Sequence, residues 1–300
     1  MKRTLFVFLA VILPFFIFTA CDKENGNTGT VNLSITDAPL DSDGITGVFI
    51  TVSEIHYHTN ENGWKVFEEY EGPKTFNLLD LQRGDSELLG SFEMEAGTYT
   101  QVRFMLDAPV PNAGQHSNPG CYLEFDDGST TNLFVPSGAQ TGYKAVGAFT
   151  VPINGSVDVT ADFDVRKSVV RAGASGKYLL KPTIRLIVDN QSGQIAGEVT
   201  NIPGQHNIIV YAYTQDSYDE SEAQEPAEEE VRFPNTVSSD MVDENGEYHL
   251  AYLSAGTYDL IVVSIQDGEF AEVLGVVEGI MVESRETTIV DIDIDDFQEI

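Results

Sequence analysis

Short runs in which apolar and polar residues alternate follow one another along most of the chain. Alternation with a period of two residues is typical of a β-strand with one buried face and one exposed face. The clearest runs are residues 31–35, 48–52, 99–106, 123–125, 156–163 and 183–188. Turn-forming pairs punctuate the chain, among them Asp43-Gly44, Asn62-Gly63, Asp127-Gly128 and Asn154-Gly155. No long stretch has a helical period, and residues 76–81 allow one helical turn at most, so the pattern predicts an all-β protein.

The chain length and a change of composition near residue 190 predict two domains. A chain of 300 residues is long enough for two cores. A polar stretch separates two strand runs at residues 190–193, and residues 191–300 contain 25 acidic and two basic side chains. Many short strands with intervening turns are typical of β-sandwiches of the immunoglobulin-like or transthyretin-like kind. We predict tandem sandwiches over residues 30–189 and 191–300, with residues 21–29 as a tether.

A four-residue motif occurs once in each predicted domain. Ala96-Gly97-Thr98-Tyr99 and Ala255-Gly256-Thr257-Tyr258 each lead into an alternating run. Glycine permits a tight turn there, and the tyrosine can cap a sandwich corner. The repeat therefore predicts the same structural device in both domains.

Residues 1–20 have the features of a processing signal. Two basic residues precede an apolar run that is shorter than the about 20 residues needed to cross a bilayer. The run ends in Phe18-Thr19-Ala20-Cys21, which resembles the lipobox of bacterial lipoproteins, where the cysteine is acylated and becomes the mature N-terminus. Acyl chains such as palmitate on Cys21 would anchor the protein stably. We predict a lipid-anchored protein of the cell envelope, at the outer membrane and facing either the periplasm or the surface; an ordinary secretory peptide is the alternative.

The charge and the missing motifs exclude several functions. A net charge of −32, from 48 acidic and 16 basic side chains, repels phosphate backbones and excludes nucleic acid as a partner. The sequence has no nucleophile elbow, phosphate-binding glycine loop or dinucleotide fingerprint. Cys121 has no recognisable base beside it, which favours a buried, inert thiol. We predict no catalytic activity.

Four ordered elements connect the first predicted domain to a known family. They are Ser34-Ile35-Thr36-Asp37-Ala38-Pro39, Ala96-Gly97-Thr98-Tyr99-Thr100-Gln101-Val102-Arg103, Asp162-Phe163-Asp164 followed by Lys167-Ser168, and Leu180-Lys181-Pro182. Through them, residues 29–188 resemble the lipoprotein family known as domain of unknown function 4382. The resemblance implies no activity.

The second predicted domain has a resemblance of its own. It contains Ile195-Ala196-Gly197-Glu198-Val199 early, Asn245-Gly246-Glu247-Tyr248 midway and the motif at residues 255–258. With these elements it resembles a transthyretin-like sandwich of the carboxypeptidase-regulatory type. Such domains share the carbohydrate-binding-like fold, so the resemblance implies glycan as a ligand class.

Aromatic residues provide the candidate ligand-binding surfaces. Tyr211 and Tyr213 share one strand face, and Trp64, the only tryptophan, follows an Asn-Gly turn near Tyr57. An aromatic ring can stack on the C–H groups of a pyranose while neighbouring polar groups bind its hydroxyls. Either group is a candidate glycan platform; the alternative is that these rings pack on the sheet.

Acidic residues make calcium the candidate cation, although no cofactor is required by the sequence. Asp41 and Asp43 resemble the start of a calcium loop that lacks the later carboxylate at EF-hand spacing. Asp291, Asp293 and Asp295 alternate with apolar residues, which predicts three carboxylates along one strand face. Either solvent screens this row or a cation binds it.

Two histidines form a second candidate metal site. His56 and His58 lie two residues apart, so both would point to one face of a strand, a spacing compatible with zinc. Solvent-facing histidines opposite an inward Ile55 and Tyr57 are the alternative. Residues 216–230 carry eight acidic and no basic side chains, which predicts a mobile loop that keeps the surface soluble or binds a cationic partner.

Together these features predict a non-catalytic lipoprotein of the cell envelope, attached to the membrane by its N-terminal lipid. The leading hypothesis is a binding module for glycan. One alternative is a structural or adhesive protein that spaces or assembles envelope partners, for example through strand edges. The other is a calcium-binding envelope protein.

Overall fold

The computed structural model describes residues 27–38, 44–59, 63–108, 120–135, 141–173, 176–204, 206–228 and 230–299. Within these ranges nearly all regular structure is β-strand, and every helical element has six residues or fewer. The predicted all-β fold is therefore confirmed. The predicted signal at residues 1–20, Cys21, Asp41 and Asp43 lie outside the described residues.

We call residues 28–188 the first unit. Its strands are β1 (Thr28–Ala38), β2 (Ile45–Thr59), β3 (Gly63–Val66), β4 (Lys74–Asn77), β5 (Glu87–Glu95), β6 (Gly97–Leu106), β7 (Tyr122–Phe125), β8 (Thr130–Phe134), β9 (Tyr143–Val151), β10 (Ser156–Asp164), β11 (Val169–Ala172), β12 (Lys177–Leu180) and β13 (Ile184–Val188). A 3-10 turn, Leu78–Leu81, follows β4 where the sequence allowed one helical turn. A one-turn helix, Val165–Ser168, follows β10. The six alternating runs all lie in strands except for Thr183.

We call residues 192–299 the second unit. Its strands are β14 (Ser192–Thr200), β15 (His206–Thr214), β16 (Ser238–Met241), β17 (Glu247–Ser254), β18 (Gly256–Gln266), β19 (Glu269–Val282), β20 (Thr287–Ile289) and β21 (Ile292–Asp293). The 3-10 turn Asp189–Gln191 joins it to the first unit, and further 3-10 turns cover Glu220–Ala223 and Ile294–Glu299.

One hydrogen-bonded ladder connects the strands of the first unit and folds over a single core. Its order is β11-β12-β8-β7-β2-β6-β9-β13-β10-β1-β5, with β3 and β4 paired to β2. Phe67, just after β3, stacks on Phe92 of β5 with ring centroids 4.3 Å apart. Phe104 of β6 meets Phe163 of β10 at 5.3 Å. Because these strands are not neighbours in the ladder, the contacts cross the core between two facing layers, as expected for a sandwich.

The second unit is a sandwich of two sheets. One sheet has the order β17-β14-β20, with β21 also paired to β14, and the other has the order β16-β15-β18-β19. Ile195 and Leu250 from the first sheet pack against Val210 and Leu260 from the second, all without exposed surface. Burying such a side chain contributes about 1.5–3 kcal/mol each, which explains why the apolar positions of these strands face inward.

The outer face of the sheet that contains β15 is also buried, because the segment between β15 and β16 folds back over it. Phe233 and Tyr218 of this segment pack on Tyr211 and Tyr213, with ring centroids 4.7 Å and 5.2 Å apart. The sequence predicted a mobile loop over residues 216–230. The structure instead shows a packed cover, because aromatic anchors hold the acidic segment to the sheet.

The repeated motif forms the same corner in both units. The hydroxyl of Tyr99 donates to the carbonyl of Glu95 over 2.7 Å, and the hydroxyl of Tyr258 donates to the carbonyl of Ser254 over 2.8 Å. Each bond spans four residues across the turn between two consecutive strands, β5 and β6 in the first unit and β17 and β18 in the second. The predicted role of the tyrosine in capping a corner is thus confirmed in both places.

Among the residues that the structure describes, no helix combines the length and the apolar character needed to cross a membrane.

Candidate functional site

Trp64 lies on the outer face of the first unit, beside the end of β2. Gly63 adopts a positive φ of 71° at the start of β3, which lets the chain reverse and pair Trp64 with His58. The indole and imidazole rings meet edge to face, with centroids 5.1 Å apart and planes at 72°. Trp64 is half-buried, so part of its ring remains at the surface.

Two cations lie next to the indole. Arg103 of β6 is directly opposite His56 of β2 and Lys144 of β9 in the ladder. The Cζ atom of Arg103 lies 3.8 Å from the centroid of the Trp64 ring, and Nζ of Lys144 lies 5.9 Å from it. Both distances allow a cation–π interaction. We call Trp64, His58, Arg103 and Lys144 the Trp64 face.

Neither cation of this face has an acidic partner in the described part of the chain. The side chains of Arg103 and Lys144 make no hydrogen bond or ion pair there, and Nε of Arg103 is buried without an acceptor. Glu54 carries a carboxylate nearby, and its Oε2 lies 2.8 Å from Nε2 of His56. Arg103 and Lys144 therefore form a local excess of positive charge in a chain that has 48 acidic and 16 basic residues.

Tyr57 does not belong to this face, which corrects the predicted grouping with Trp64. Successive side chains of a strand point to opposite faces, and it is His58 that pairs with Trp64. Tyr57 points inward and packs on Phe67 and Tyr99, with centroids 4.6 Å and 5.8 Å away. Burial, and to a lesser extent Glu95 and Glu69, raises the pKa of its hydroxyl.

Tyr211 and Tyr213 do not form a glycan platform, and that prediction is wrong. They are 1% and 0% exposed because the segment after β15 covers them. The Tyr213 hydroxyl donates to Oε2 of Glu222 over 2.8 Å, and burial is the main cause that raises its pKa. The alternation of β15 was correctly recognised, but the sequence did not show that the acidic segment folds over the tyrosine face.

The row of aspartates predicted at the C-terminus is also wrong. β20 ends at Ile289 and β21 is only Ile292–Asp293, while Asp295 lies in a 3-10 turn, so no continuous strand aligns the three carboxylates. Protein groups bind two of them instead: Asp291 accepts the N–H of Glu198, and Asp293 accepts the Asn201 amide.

The histidine pair and the cysteine give no metal or nucleophile site in the structure. Across the described ranges, no group of three or more His, Cys, Asp or Glu side chains has the arrangement of a metal site. Cys121 is fully buried, and burial raises the pKa of its thiol to about 12. The thiol therefore stays protonated, as expected for an inert cysteine.

A second cluster of functional interest joins the two units, and sequence reasoning missed it. Arg83, after the turn Leu78–Leu81, donates from Nε to Asp240 over 2.9 Å and from Nη1 to Asp243 over 2.8 Å. Its Nη2 donates to the carbonyls of Met241 and Glu247 over 3.3 Å and 2.5 Å. One guanidinium thus binds four acceptors of the second unit.

The two aspartates bound by Arg83 respond to it differently. Asp240 is almost fully buried, and this burial raises the pKa of its carboxyl to about 6 although Arg83 opposes the shift. Asp243 is more exposed, and the hydrogen bond from Arg83 is the main cause that lowers its pKa to about 2.

The helix Val165–Ser168 forms the other half of the joint. Arg166 donates to the carbonyls of Arg232 and Phe233 over 2.7 Å and 3.0 Å, and Lys167 donates to the carbonyl of Thr236. All three acceptors are main-chain atoms directly after the acidic segment. Lys167 belongs to an element used for the family resemblance, but nothing in the local pattern showed that the partners of Arg166 and Lys167 lie 66–69 residues away.

A family profile described as Domain of unknown function (DUF4382) matches residues 28–182, more than half of the chain. The chain belongs to the DUF4382 family. The DUF4382 segment contains the whole Trp64 face as well as Arg83, Arg166 and Lys167. No protein with curated annotation matches the chain.

Solved structures similar to the chain include two pilins. The minor pilin GBS52 of Streptococcus agalactiae is 11% identical, with 87% of this chain and 94% of the pilin covered and a TM-score of 0.23. The shaft pilin SpaA of Lactobacillus rhamnosus GG is 11% identical, with 89% and 96% covered and a TM-score of 0.22. A provisionally assigned carbohydrate-binding protein of Pseudomonas aeruginosa is 14% identical, with 36% and 91% covered and a TM-score of 0.22.

Proposed function

We propose that this DUF4382 protein is a non-catalytic binding module of the cell envelope and that it binds glycan through the Trp64 face. The observation that carries the proposal is the half-buried indole flanked by Arg103 at 3.8 Å and Lys144 at 5.9 Å. Of the four aromatic candidates, Trp64 is the one that lies outside the core. An indole at the surface of a sheet can stack on a sugar ring, and the cationic donors beside it can bind the hydroxyls of that sugar.

The proposed location follows from the tether. β1 begins at Thr28, seven residues after Cys21. Seven extended residues reach at most about 25 Å, so a lipid on Cys21 would hold the first unit close to the membrane. A glycan site on the first unit would then face polymers at the membrane surface.

The test is affinity electrophoresis of the mature chain, residues 21–300 with Cys21→Ser, in gels that contain a panel of neutral and acidic polysaccharides. We expect at least one polysaccharide to retard the protein and Trp64→Ala to weaken this binding at least tenfold. Ile289→Ala, at a residue 64% exposed in the second unit, is the matched control and should leave retardation unchanged. Equal migration in every gel would refute the proposal.

A second candidate function is that of a structural protein that holds a partner at a set position from the membrane. The bonds of Arg83, Arg166 and Lys167 to the second unit favour it, because they fix one unit on the other. Cross-linking in intact envelopes followed by mass spectrometry should recover an envelope protein linked to the second unit. Recovery of this chain alone would contradict the structural function.

A further inference from the structure

We infer that the ligand of the Trp64 face is an anionic glycan, in which a carboxylate or sulfate group lies at the edge of the sugar ring that stacks on the indole. This inference rests on the proposed glycan site and names its ligand class. It is carried by the position of Arg103 and Lys144, two cations that lie against the Trp64 indole and have no carboxylate partner among the described residues.

Three other arginines contact carboxylates. Arg83 contacts Asp240 at 2.9 Å, Arg185 contacts Asp162 at 2.6 Å, and Arg232 contacts Glu225. With three acidic residues for each basic one, such pairing is the expected outcome for a guanidinium. Arg103 differs, since the described residues supply it with an aromatic ring and no carboxylate.

The two Nη groups of the Arg103 guanidinium are available to bind a ligand. Its Nε is sealed from solvent, whereas its two Nη groups are not among the buried polar atoms that lack a partner. Because the residues of known position provide no acceptor for them, these groups face solvent. Lys144 is exposed beside them in the register of the ladder.

An acidic sugar has an apolar C–H face that suits the indole and an anionic group that suits the two cations. Its C–H face can stack on the indole, while its anionic group reaches the two cations, which lie over the ring within 6 Å of the indole centroid. Hydrogen bonds from Arg and Lys to an ionised acceptor are stronger than those to a hydroxyl, so the charged ligand should bind better than its neutral counterpart. The carboxylate of Glu54 is hydrogen-bonded to His56 and contacts neither of the two cations.

Trp64 is the only tryptophan, so fluorescence excited at wavelengths where tyrosine does not absorb reports on Trp64 alone. The mature chain with Cys21→Ser is titrated with oligogalacturonate, with its methyl ester and with a sulfated galactan oligosaccharide, at low and high salt. We expect a fluorescence change with an acidic probe, binding at least tenfold weaker with the ester, and loss of the acidic preference in Lys144→Gln and Arg103→Gln. Arg285→Gln removes an exposed positive charge from the second unit and should bind as the parent does.

The outcomes separate this inference from the proposed function. Equal affinity for acid and ester, or binding of neutral polysaccharides alone in the gels, would overturn the anionic ligand and leave glycan binding intact. If no saccharide changes the migration of the protein in the gels or its fluorescence, both the anionic ligand and the proposed glycan binding are refuted. Binding of one acidic probe identifies the anionic group as carboxylate or sulfate. Because Lys144 is exposed, its variant tests the inference even if Arg103→Gln fails to fold, which circular dichroism would show.

Discussion

Arg83 Nε and Asp240 Oδ2 lie 2.9 Å apart although 157 residues separate them in the chain. The side chain of Asp240 is 3% exposed, and that of Arg83 is 33% exposed. Asp240 also accepts the N–H of His249 over 2.8 Å. The pair therefore fixes a buried charge at the contact between the two units, and removal of one partner has consequences that can be measured.

Arg83→Met should destabilise the protein by about 3 kcal/mol, because it leaves the Asp240 carboxylate buried without its cation. Urea unfolding followed by fluorescence and circular dichroism measures this change. Arg285→Met, at an exposed arginine, is the control and should shift stability by less than about 0.5 kcal/mol. A loss for Arg83→Met no larger than that of the control would show that the contact contributes nothing to stability.

The pH dependence of stability should report the raised pKa of the Asp240 carboxyl. Burial raises its pKa from 3.8 to about 6, so between these values the folded state binds more protons than the unfolded state. The wild type should therefore gain stability relative to Asp240→Asn as the pH falls from 7 to 4. Urea midpoints of both proteins across this range measure the difference. A constant difference would contradict a raised pKa.

The contribution of Asp243 to stability should change with pH in the opposite direction. Its pKa is lowered from 3.8 to about 2, so its contribution is complete above pH 4 and is lost as the pH falls towards 2. The wild type should be more stable than Asp243→Asn above pH 4, and this difference in the free energy of unfolding should decrease only as the pH falls towards 2. The same titration measures it, and a change between pH 7 and 5 would not fit the shift.

The buried tyrosines should matter for stability and not for glycan binding. Tyr213→Phe removes the hydrogen bond to Glu222 and should cost about 1 kcal/mol, whereas Tyr213→Ala should cost about 3–5 kcal/mol through the cavity. Electrophoresis of the Phe variant in polysaccharide gels should match the parent. Weakened retardation by a folded Tyr213→Phe protein would place ligand contacts on the second unit.

The proposed lipid anchor depends on a single residue, Cys21. Cys21→Ser should move the full-length protein from the membrane fraction to the soluble fraction of bacteria that express it, because one residue carries the proposed anchor. Fractionation and metabolic labelling with a palmitate analogue measure this. Cys121→Ser is the matched control: its thiol is buried in the core, so labelling should persist. Label retained by Cys21→Ser would refute the proposed site.

The sequence by itself determined the strands, the turns and the two tyrosine corners. These features depend on neighbours within a few residues, because side-chain alternation and turn formation are local properties of the backbone. The bonds of Tyr99 to Glu95 and of Tyr258 to Ser254 each span four residues, and the motif predicted a tyrosine that caps a corner in both places.

The tertiary structure decided which of the candidate residues reach the surface. Tyr211 and Tyr213 alternate as an exposed pair would, but Phe233 and Tyr218 cover them, and that packing lies in no local pattern. The separation of Trp64 from Tyr57 depended on the strand register, in which a shift of one residue exchanges the two faces. The contact of Arg83 with Asp240 required both units to be folded, since only long-range packing brings a guanidinium and a carboxylate from distant parts of the chain into one buried place.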